Sequence, residues 1–311
     1  ALDLLLGGGA VFHQPGGLGA ATALQCTADA PMLRNLDDYR VGWELIDHAQ
    51  ELATLRNLRE LGLDAVIAIG GEGTLAGANR LAADGLPIVG VPKTIDNDLQ
   101  GTDYTFGFDT AVQIATDAMD RLRTTGESHH RCMVAEVMGR HVGWIALHSG
   151  MAAGAHAILI PEVRTPMSQV AEWVQQVHDR GRSPLVVVAE GFVPEGHDDP
   201  LAEAGVEASG RPRLGGIGEW VTREIEEMTG IETRSTILGH IQRGGAPTAT
   251  DRVLSTRFGM GAVDLVAQRR WGQMVAANGT EIISIPMSAA LKGLKKVPVS
   301  RYDEAKILFG R

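Results

Sequence analysis

Two short stretches combine residue types in a pattern suited to a phosphorylated ligand. The first is Gly70-Gly71-Glu72-Gly73-Thr74, which follows an apolar run and opens a helical one. Glycines at such a junction let backbone N–H groups come close to an anion, and the helix amino terminus adds partial positive charge, so the loop suits a polyphosphate. A carboxylate among phosphate binders repels the ligand unless a divalent cation lies between them, which makes Glu72 a candidate partner, direct or through water, for Mg2+. The competing reading is a glycine turn whose acidic residue only complements the helix dipole. No G-x-x-x-x-G-K-[ST] segment occurs, which excludes a Walker-type nucleotide site.

The second stretch is Pro92-Lys93-Thr94-Ile95-Asp96-Asn97-Asp98. Two carboxylates two residues apart, beside a hydroxyl and a lysine, can divide work. One aspartate accepts a proton from a substrate hydroxyl, and the other helps hold a metal or orients the base. Lys93 supplies a point positive charge for a phosphate. Taken alone, the stretch also reads as an Asx-type turn carrying surface charge. A third, dispersed set comprises Arg131, Met138-Gly139-Arg140, Glu190, Arg234 and Gly239-His240-Ile241-Gln242-Arg243-Gly244-Gly245. Arginines at glycine turns are candidates for a sugar phosphate, because guanidinium grips phosphate bidentately. Glu190 is a candidate acceptor for a sugar hydroxyl, and each of these residues taken singly also fits a surface ion pair or a structural role.

These residues need elements that carry them to one place. From about residue 60, apolar runs alternate with amphipathic stretches, the signature of a mostly parallel α/β sheet. Strands are expected over 64–69, 86–91, 132–137, 157–160, 185–189 and 236–238, and helices over 74–83, 109–123, 168–176, 218–228 and 251–268. The first strand, helix and second strand form a βαβ unit. Its right-handed crossover places the glycine loop and the Asp96 loop at the same carboxyl edge of the sheet. The uncharged stretch 142–160 includes Trp144, His148 and two glycines, and reads as buried helix, glycine break and core strand rather than a membrane span. Residues 194–212, polar and punctuated by Gly and Pro, read as a surface excursion. Leu4 to Gly9 fits a first strand ending in a glycine turn, and residues 16–33 show no clear period.

Composition narrows the class. The chain has 311 residues, is 44% hydrophobic and 21% charged, and carries Lys+Arg 28 against Asp+Glu 38 for a net charge of -10. That excludes disordered, collagenous and disulfide-scaffold classes, and it runs opposite to the basic footprint of a nucleic-acid binder. Two cysteines, Cys26 and Cys132, suit free thiols in a reducing cytoplasm. No secretory signal pattern is found at the amino terminus.

Taken in order, GGEGTL (Gly70 to Leu75), PKTIDNDL (Pro92 to Leu99), YTFGFDTA (Tyr104 to Ala111), SHHR (Ser128 to Arg131), EVMGRHVGW (Glu136 to Trp144), AEG (Ala189 to Gly191) and LGHIQRGG (Leu238 to Gly245) resemble the 6-phosphofructokinase family. The likeness covers about four fifths of the chain. It implies two Rossmann-like lobes with mostly parallel sheets and the site between them. The expected divisions are a donor lobe of residues 1–107 plus 245–275, a sugar-phosphate lobe of 108–244, and a carboxyl-terminal segment of 276–311 packing across both. By resemblance Asp96 is the base that activates the sugar 1-hydroxyl, supported by Thr94 and Asp98, and Lys93 and Arg140 are counted with them as candidate catalytic residues. Glu72 matches the carboxylate that serves Mg2+, and Gly8, Gly70, Gly71, Gly73 and Thr74 fall in the donor cradle. Met138, Gly139, Arg140, Glu190, His240 and Arg243 match positions that bind fructose 6-phosphate. Arg131 and Arg234 match arginines that reach the sugar phosphate from a neighbouring subunit, which implies a cytoplasmic homo-oligomer, usually a tetramer.

The donor divides the family. Pyrophosphate users resemble GG[DE]D, with an aspartate where this chain has Gly73, and that difference points to ATP. Lys93 follows a pattern common among pyrophosphate enzymes, so a pyrophosphate-dependent enzyme is the alternative. The family's amino-terminal GGD-x-PG-x-N loop and a later arginine segment are not matched here, where only Gly7-Gly8-Gly9 and Gly16 to Ala21 stand in the corresponding region. That departure keeps a non-catalytic sugar-phosphate-binding subunit as a reading of another class. An NAD or lipid kinase shares a GGDGT-like loop but lacks the PKTIDND and GHIQRGG segments. A dehydrogenase is disfavoured because the second strand ends without an acidic residue to hold a ribose.

Overall fold

The computed structural model describes residues 4–7, 64–197, 202–206, 212–214 and 216–311. Its first sheet runs β1 (Leu4–Gly7), β2 (Ala65–Gly70), β3 (Ile88–Thr94), then two later strands, β11 (Gln273–Asn278) and β12 (Glu281–Pro286), with the short β4 (Phe106–Gly107) beside β3. The pairs β1–β2, β2–β3 and β3–β11 are parallel, and only β12 turns back antiparallel. Helix α1 (Glu72–Ala83) crosses from β2 to β3. Both faces of this sheet are covered, which is why its strands read as unbroken apolar runs. On one side Ala65, Ile67, Val89 and Val91 meet Phe258, Ala262, Leu265 and Val266 of α6 (Ala249–Ala267). On the other, Ala68 and Ile88 meet Leu75 and Ala78 of α1 and Met287 of α7 (Met287–Ala290).

The second sheet has the order β10 (Thr233–Ile237), β5 (Cys132–Val137), β7 (Leu185–Ala189), β6 (Ala157–Leu159), and all its pairs are parallel. Helices α2 (Phe108–His129), α3 (Trp144–Ala152), α4 (Met167–His178) and α5 (Ile217–Thr229) supply buried side chains to its core. The stretch 142–160 forms α3, a turn in which Gly154 takes φ +62, and β6. Within the excursion, the described residues include an antiparallel pair, β8 (Ala202–Val206) with β9 (Pro212–Leu214).

The division expected after residue 275 falls inside β11, whose residues pair with β3 on one side and β12 on the other. The first sheet therefore continues to Pro286. Beyond it the chain passes from one lobe to the other. Leu294 bridges to Leu99, and α8 (Val299–Lys306) lies on the second lobe, where Tyr302 Oη donates to the Ile158 carbonyl at 3.1 Å. A second tie between lobes is buried: Asp251 of α6 accepts from the Thr110 backbone N–H of α2 at 2.8 Å and from the Thr110 hydroxyl at 2.5 Å.

Candidate active site

β2 and β3 lie in parallel with Gly70 opposite Pro92, so the loops after them leave the sheet at one edge, as βαβ geometry requires. They also touch. A Cβ added to Gly71 would stand 3.4 Å from Thr94 Cβ, and one added to Gly70 would sit 2.4 Å from Thr74 Cβ. Gly70 is thus needed for space, because the Thr74 side chain occupies the place of its missing methyl. Glu72 and Gly73 are exposed in the first turn of α1, with Thr74 half-buried behind them.

The second loop is held by its own side chains. The Asp96 backbone N–H donates to Thr94 Oγ1 at 3.1 Å, and that hydroxyl approaches Asp96 Oδ2 at 3.5 Å. The Thr105 hydroxyl donates to the Thr94 carbonyl at 2.7 Å. Between the two aspartates Asn97 is buried and takes φ +51, a left-handed conformation that asparagine tolerates better than most residues. Its Oδ1 accepts from the Thr105 N–H at 3.1 Å, which turns the Asn97 amide into the protein.

Electrostatics place groups from both lobes around this loop. Burial raises the Asp96 pKa above the ordinary carboxylate value of 3.8, opposed by the charge of Arg243, the Thr94 hydroxyl, and the charges of His141 and Arg140. Burial likewise raises Asp98, helped by the neighbouring charges of Asp96 and Glu72 and opposed by Lys295, to about 7. Glu72 of the glycine loop and Asp96 thus both act on Asp98. Burial lowers the Lys93 pKa, and the Arg243 charge lowers it further. A carboxyl group with a raised pKa, next to cations and at the meeting of two loops, is what a general base needs.

The second lobe supplies the facing rim. After β5, Gly139 takes φ +142, and a Cβ there would lie 2.7 Å from the Val142 carbonyl oxygen, so only glycine fits the turn. The Met138 N–H donates to Gln242 Oε1 at 3.3 Å, and the Gly139 N–H to Glu190 Oε1 at 3.4 Å. Burial raises the Glu190 pKa against the opposing Gly139 hydrogen bond and Arg140 charge. His240 and Arg243 are exposed on a 3-10 turn, Gly239–Arg243, which follows β10.

Asp96, Asp98, Thr94, Lys93, Glu72, Arg140, Glu190 and Arg243 are therefore linked by hydrogen bonds or by their charges, with Met138 and Gly139 joined to Gln242 and Glu190, and His240 on the same 3-10 turn as Arg243. Arg131 and Arg234 do not join this group within this chain. They stand at the amino-terminal ends of β5 and β10, at the opposite edge of the second sheet from Met138. Both pair there with Glu232, Arg131 through Nε at 2.8 Å. Gly8 lies outside the described residues.

Among the described residues no cluster of three or more metal-ligating side chains is preformed. The residues present nevertheless fit a cation bound together with a phosphate ligand: Asp98 Oδ1 is buried with no hydrogen-bond partner, and the Glu72 charge acts on the same carboxyl. Residues that sequence reasoning passed over are Asn97, the buried Gln242 and Asp251. Gln242 stands inside the GHIQRGG segment, but nothing in its residue type separates a buried support for the Met138 turn from an exposed amide.

A model of the Phosphofructokinase family matches residues 44–266. The chain belongs to the phosphofructokinase family. It is 58% identical over 253 residues to a pyrophosphate–fructose 6-phosphate 1-phosphotransferase of Amycolatopsis mediterranei, covering 81% of this chain and 74% of that protein. It is 53% identical over 251 residues to an ATP-dependent 6-phosphofructokinase of Streptomyces coelicolor, covering 80% and 74%. Among solved structures, a phosphofructokinase from Saccharomyces cerevisiae superposes with TM-score 0.68 at 30% identity, over 84% of this chain but 37% of the yeast chain. The phosphofructokinase fold expected from the motifs is the one observed. No helix among the described residues is long and apolar enough to cross a membrane.

Proposed function

We propose that this phosphofructokinase transfers the γ-phosphoryl group of Mg-ATP to the 1-hydroxyl of fructose 6-phosphate, giving fructose 1,6-bisphosphate and ADP. The 1-hydroxyl oxygen forms a bond to the γ-phosphorus, the bond from that phosphorus to the β,γ-bridging oxygen breaks, and the hydroxyl proton passes to Asp96. The observation that carries this reading is the setting of Asp96: a half-buried carboxyl on the loop beside the glycine loop, under the charges of Arg140 and Arg243 from the other lobe. Phosphoryl transfer asks little covalent chemistry of a protein, so positioning and charge neutralisation supply most of the rate.

The individual roles follow from placement. The backbone of residues 70–74 and the start of α1 cradle donor phosphates. Lys93, Arg140 and Arg243 offset charge on the transferring group and the sugar phosphate. Glu190 accepts a hydrogen bond from a sugar hydroxyl, and Met138 and Gly139 shape the wall behind it. Glu72 and Asp98 would hold Mg2+, which would supply positive charge to offset that of the donor phosphates. Thr94 keeps Asp96 in place through its hydroxyl. Arg131 and Arg234, remote from the crevice in their own chain, fit service to a neighbouring subunit's sugar phosphate, in a cytoplasmic homo-oligomer of the tetrameric kind.

ATP is assigned on Gly73. This position is exposed in the first turn of α1 and carries no side chain, where the pyrophosphate pattern has an aspartate whose carboxylate takes the place of the nucleotide's α-phosphate. A pyrophosphate donor is the second reading. It is favoured by Lys93 and by relatives bearing that activity in their names at 55–58% identity, against 49–53% for those named ATP-dependent. Initial rates with fructose 6-phosphate and either donor decide between them. The ATP assignment predicts kcat/KM at least tenfold higher with ATP, and the opposite ratio overturns it.

A further inference from the structure

The carboxylate loop is clamped by a residue almost 200 positions away in the chain. Lys295 comes from the carboxyl-terminal segment, where Leu294 bridges antiparallel to Leu99. Its backbone N–H donates to the Asp98 carbonyl at 2.7 Å. Its ammonium reaches under the same loop and donates to Asn97 Oδ1 at 2.9 Å, the Thr102 carbonyl at 2.8 Å and the Asp103 carbonyl at 2.9 Å, so all three of its protons are used. The Lys295 carbonyl accepts from Trp144 Nε1 at 2.7 Å, and its ammonium lies 5.4 Å from the Trp144 ring centroid, within cation–π range. Two residues on, the Val297 N–H donates to Glu162 Oε1 at 2.9 Å, and Glu162 also accepts from the Gly143 N–H at 3.0 Å, one residue before α3.

We propose that Lys295 is a positioning residue for the reaction: its ammonium, seated on Trp144 of the second lobe, holds Asn97 in the left-handed turn that sets Asp96 and Asp98 in the crevice. Three features support this. Asn97 pays a strain cost for its φ of +51, and a buried amide gripped from two sides offsets it. The ammonium is the donor to three acceptors on loop 97–103, and a neutral side chain would leave them short of it. The anchor belongs to the opposite lobe, so one side chain ties the loop that bears the base to the lobe that bears Arg140 and Glu190. A lysine without this role would present its charge to solvent, whereas Lys295 is half-buried with its ammonium donated to three protein acceptors.

The catalytic part of this inference rests on the proposed reaction; the clamp itself does not. Lys295→Met and Lys295→Arg are compared with the wild type in two measurements at a temperature where all are folded. In hydrogen exchange, the Met variant is expected to speed exchange of residues 95–105 at least tenfold, leaving β7 unchanged, and the Arg variant to restore much of the protection. In steady-state assays, Met is expected to lower kcat at least tenfold while KM for fructose 6-phosphate stays within threefold, with partial recovery in Arg. Unchanged exchange in the loop overturns the clamp. Loosened exchange with kcat within twofold of wild type overturns the positioning role. A wild type that turns over neither donor counts against the proposed reaction and against the role in it, and the exchange data then decide the clamp alone.

Discussion

Asp98 is expected to be a residue that the fold pays for and the reaction uses, and Asp98→Asn separates the two. Burial and the charges of Asp96 and Glu72 raise its pKa from 3.8 to about 7, and its Oδ1 is buried without a partner. Because the folded pKa lies above the unfolded one, the native state holds an extra proton between those values. Stability is therefore greatest below about pH 4, falls as pH rises through about 7, and stays low above it. A shift of about three units at about 1.36 kcal/mol each sets an upper figure of about 4 kcal/mol at pH 8. Asparagine keeps the shape and removes the charge. Allowing for local relaxation, the variant is expected to be more stable at pH 8 by about 2 kcal/mol, a melting rise of roughly 3 °C for a chain of this size, with the difference closing near pH 4. Thermal melts across pH 4–8, without and with Mg2+ and ATP, measure this. Ligand should stabilise the wild type more than the variant, whose activity should fall even as its melting temperature climbs. A variant that melts at or below the wild type at pH 8, or a difference that does not change with pH, refutes the reasoning.

Two further outcomes are expected. Gly73→Asp places a carboxylate in the donor cradle and should lower kcat/KM for ATP at least tenfold while raising it for pyrophosphate; an unchanged donor ratio would remove Gly73 as the determinant. Arg243 is the strongest of the groups holding the Asp96 pKa down against burial, and the base works deprotonated, so activity is lost as pH falls through its folded pKa. Arg243→Met should move the acid limb of kcat/KM to higher pH, read from a pH–rate profile, and a limb that stays put or moves down contradicts the assignment.

Much of the frame is legible because parallel strands covered on both faces leave a simple trace. AVIAIG and LVVVA are apolar throughout and CMVAEV is so except for the buried Glu136, and each becomes a strand within a residue or so of its expected bounds. The meeting of the glycine loop with the Asp96 loop follows from one crossover, needing only the order of the elements. Less regular pieces escape. β10 starts at Thr233, earlier than expected, because as an edge strand it carries the polar run Thr-Arg-Ser-Thr rather than an apolar one. The β11–β12 hairpin closes the first sheet with sequences that alternate or mix polarity, so the lobe boundary cannot be read at residue 275. Gln242 and Lys295 act through partners 104 and 198 positions away, and no local pattern announces such a pairing. Arg131 and Arg234 carry the right chemistry, but which end of a strand they occupy determines which crevice they can reach.

Asp96→Asn tests the base most directly. Single-turnover and steady-state rates of this variant with fructose 6-phosphate and ATP should fall by about 100- to 10,000-fold, the usual worth of a positioned base, while KM for the sugar stays within threefold and the melting temperature does not drop. A variant that keeps kcat within threefold of the wild type would contradict the assignment of proton acceptance to Asp96, and with it the reading of the crevice as a phosphoryl-transfer site built around that carboxyl.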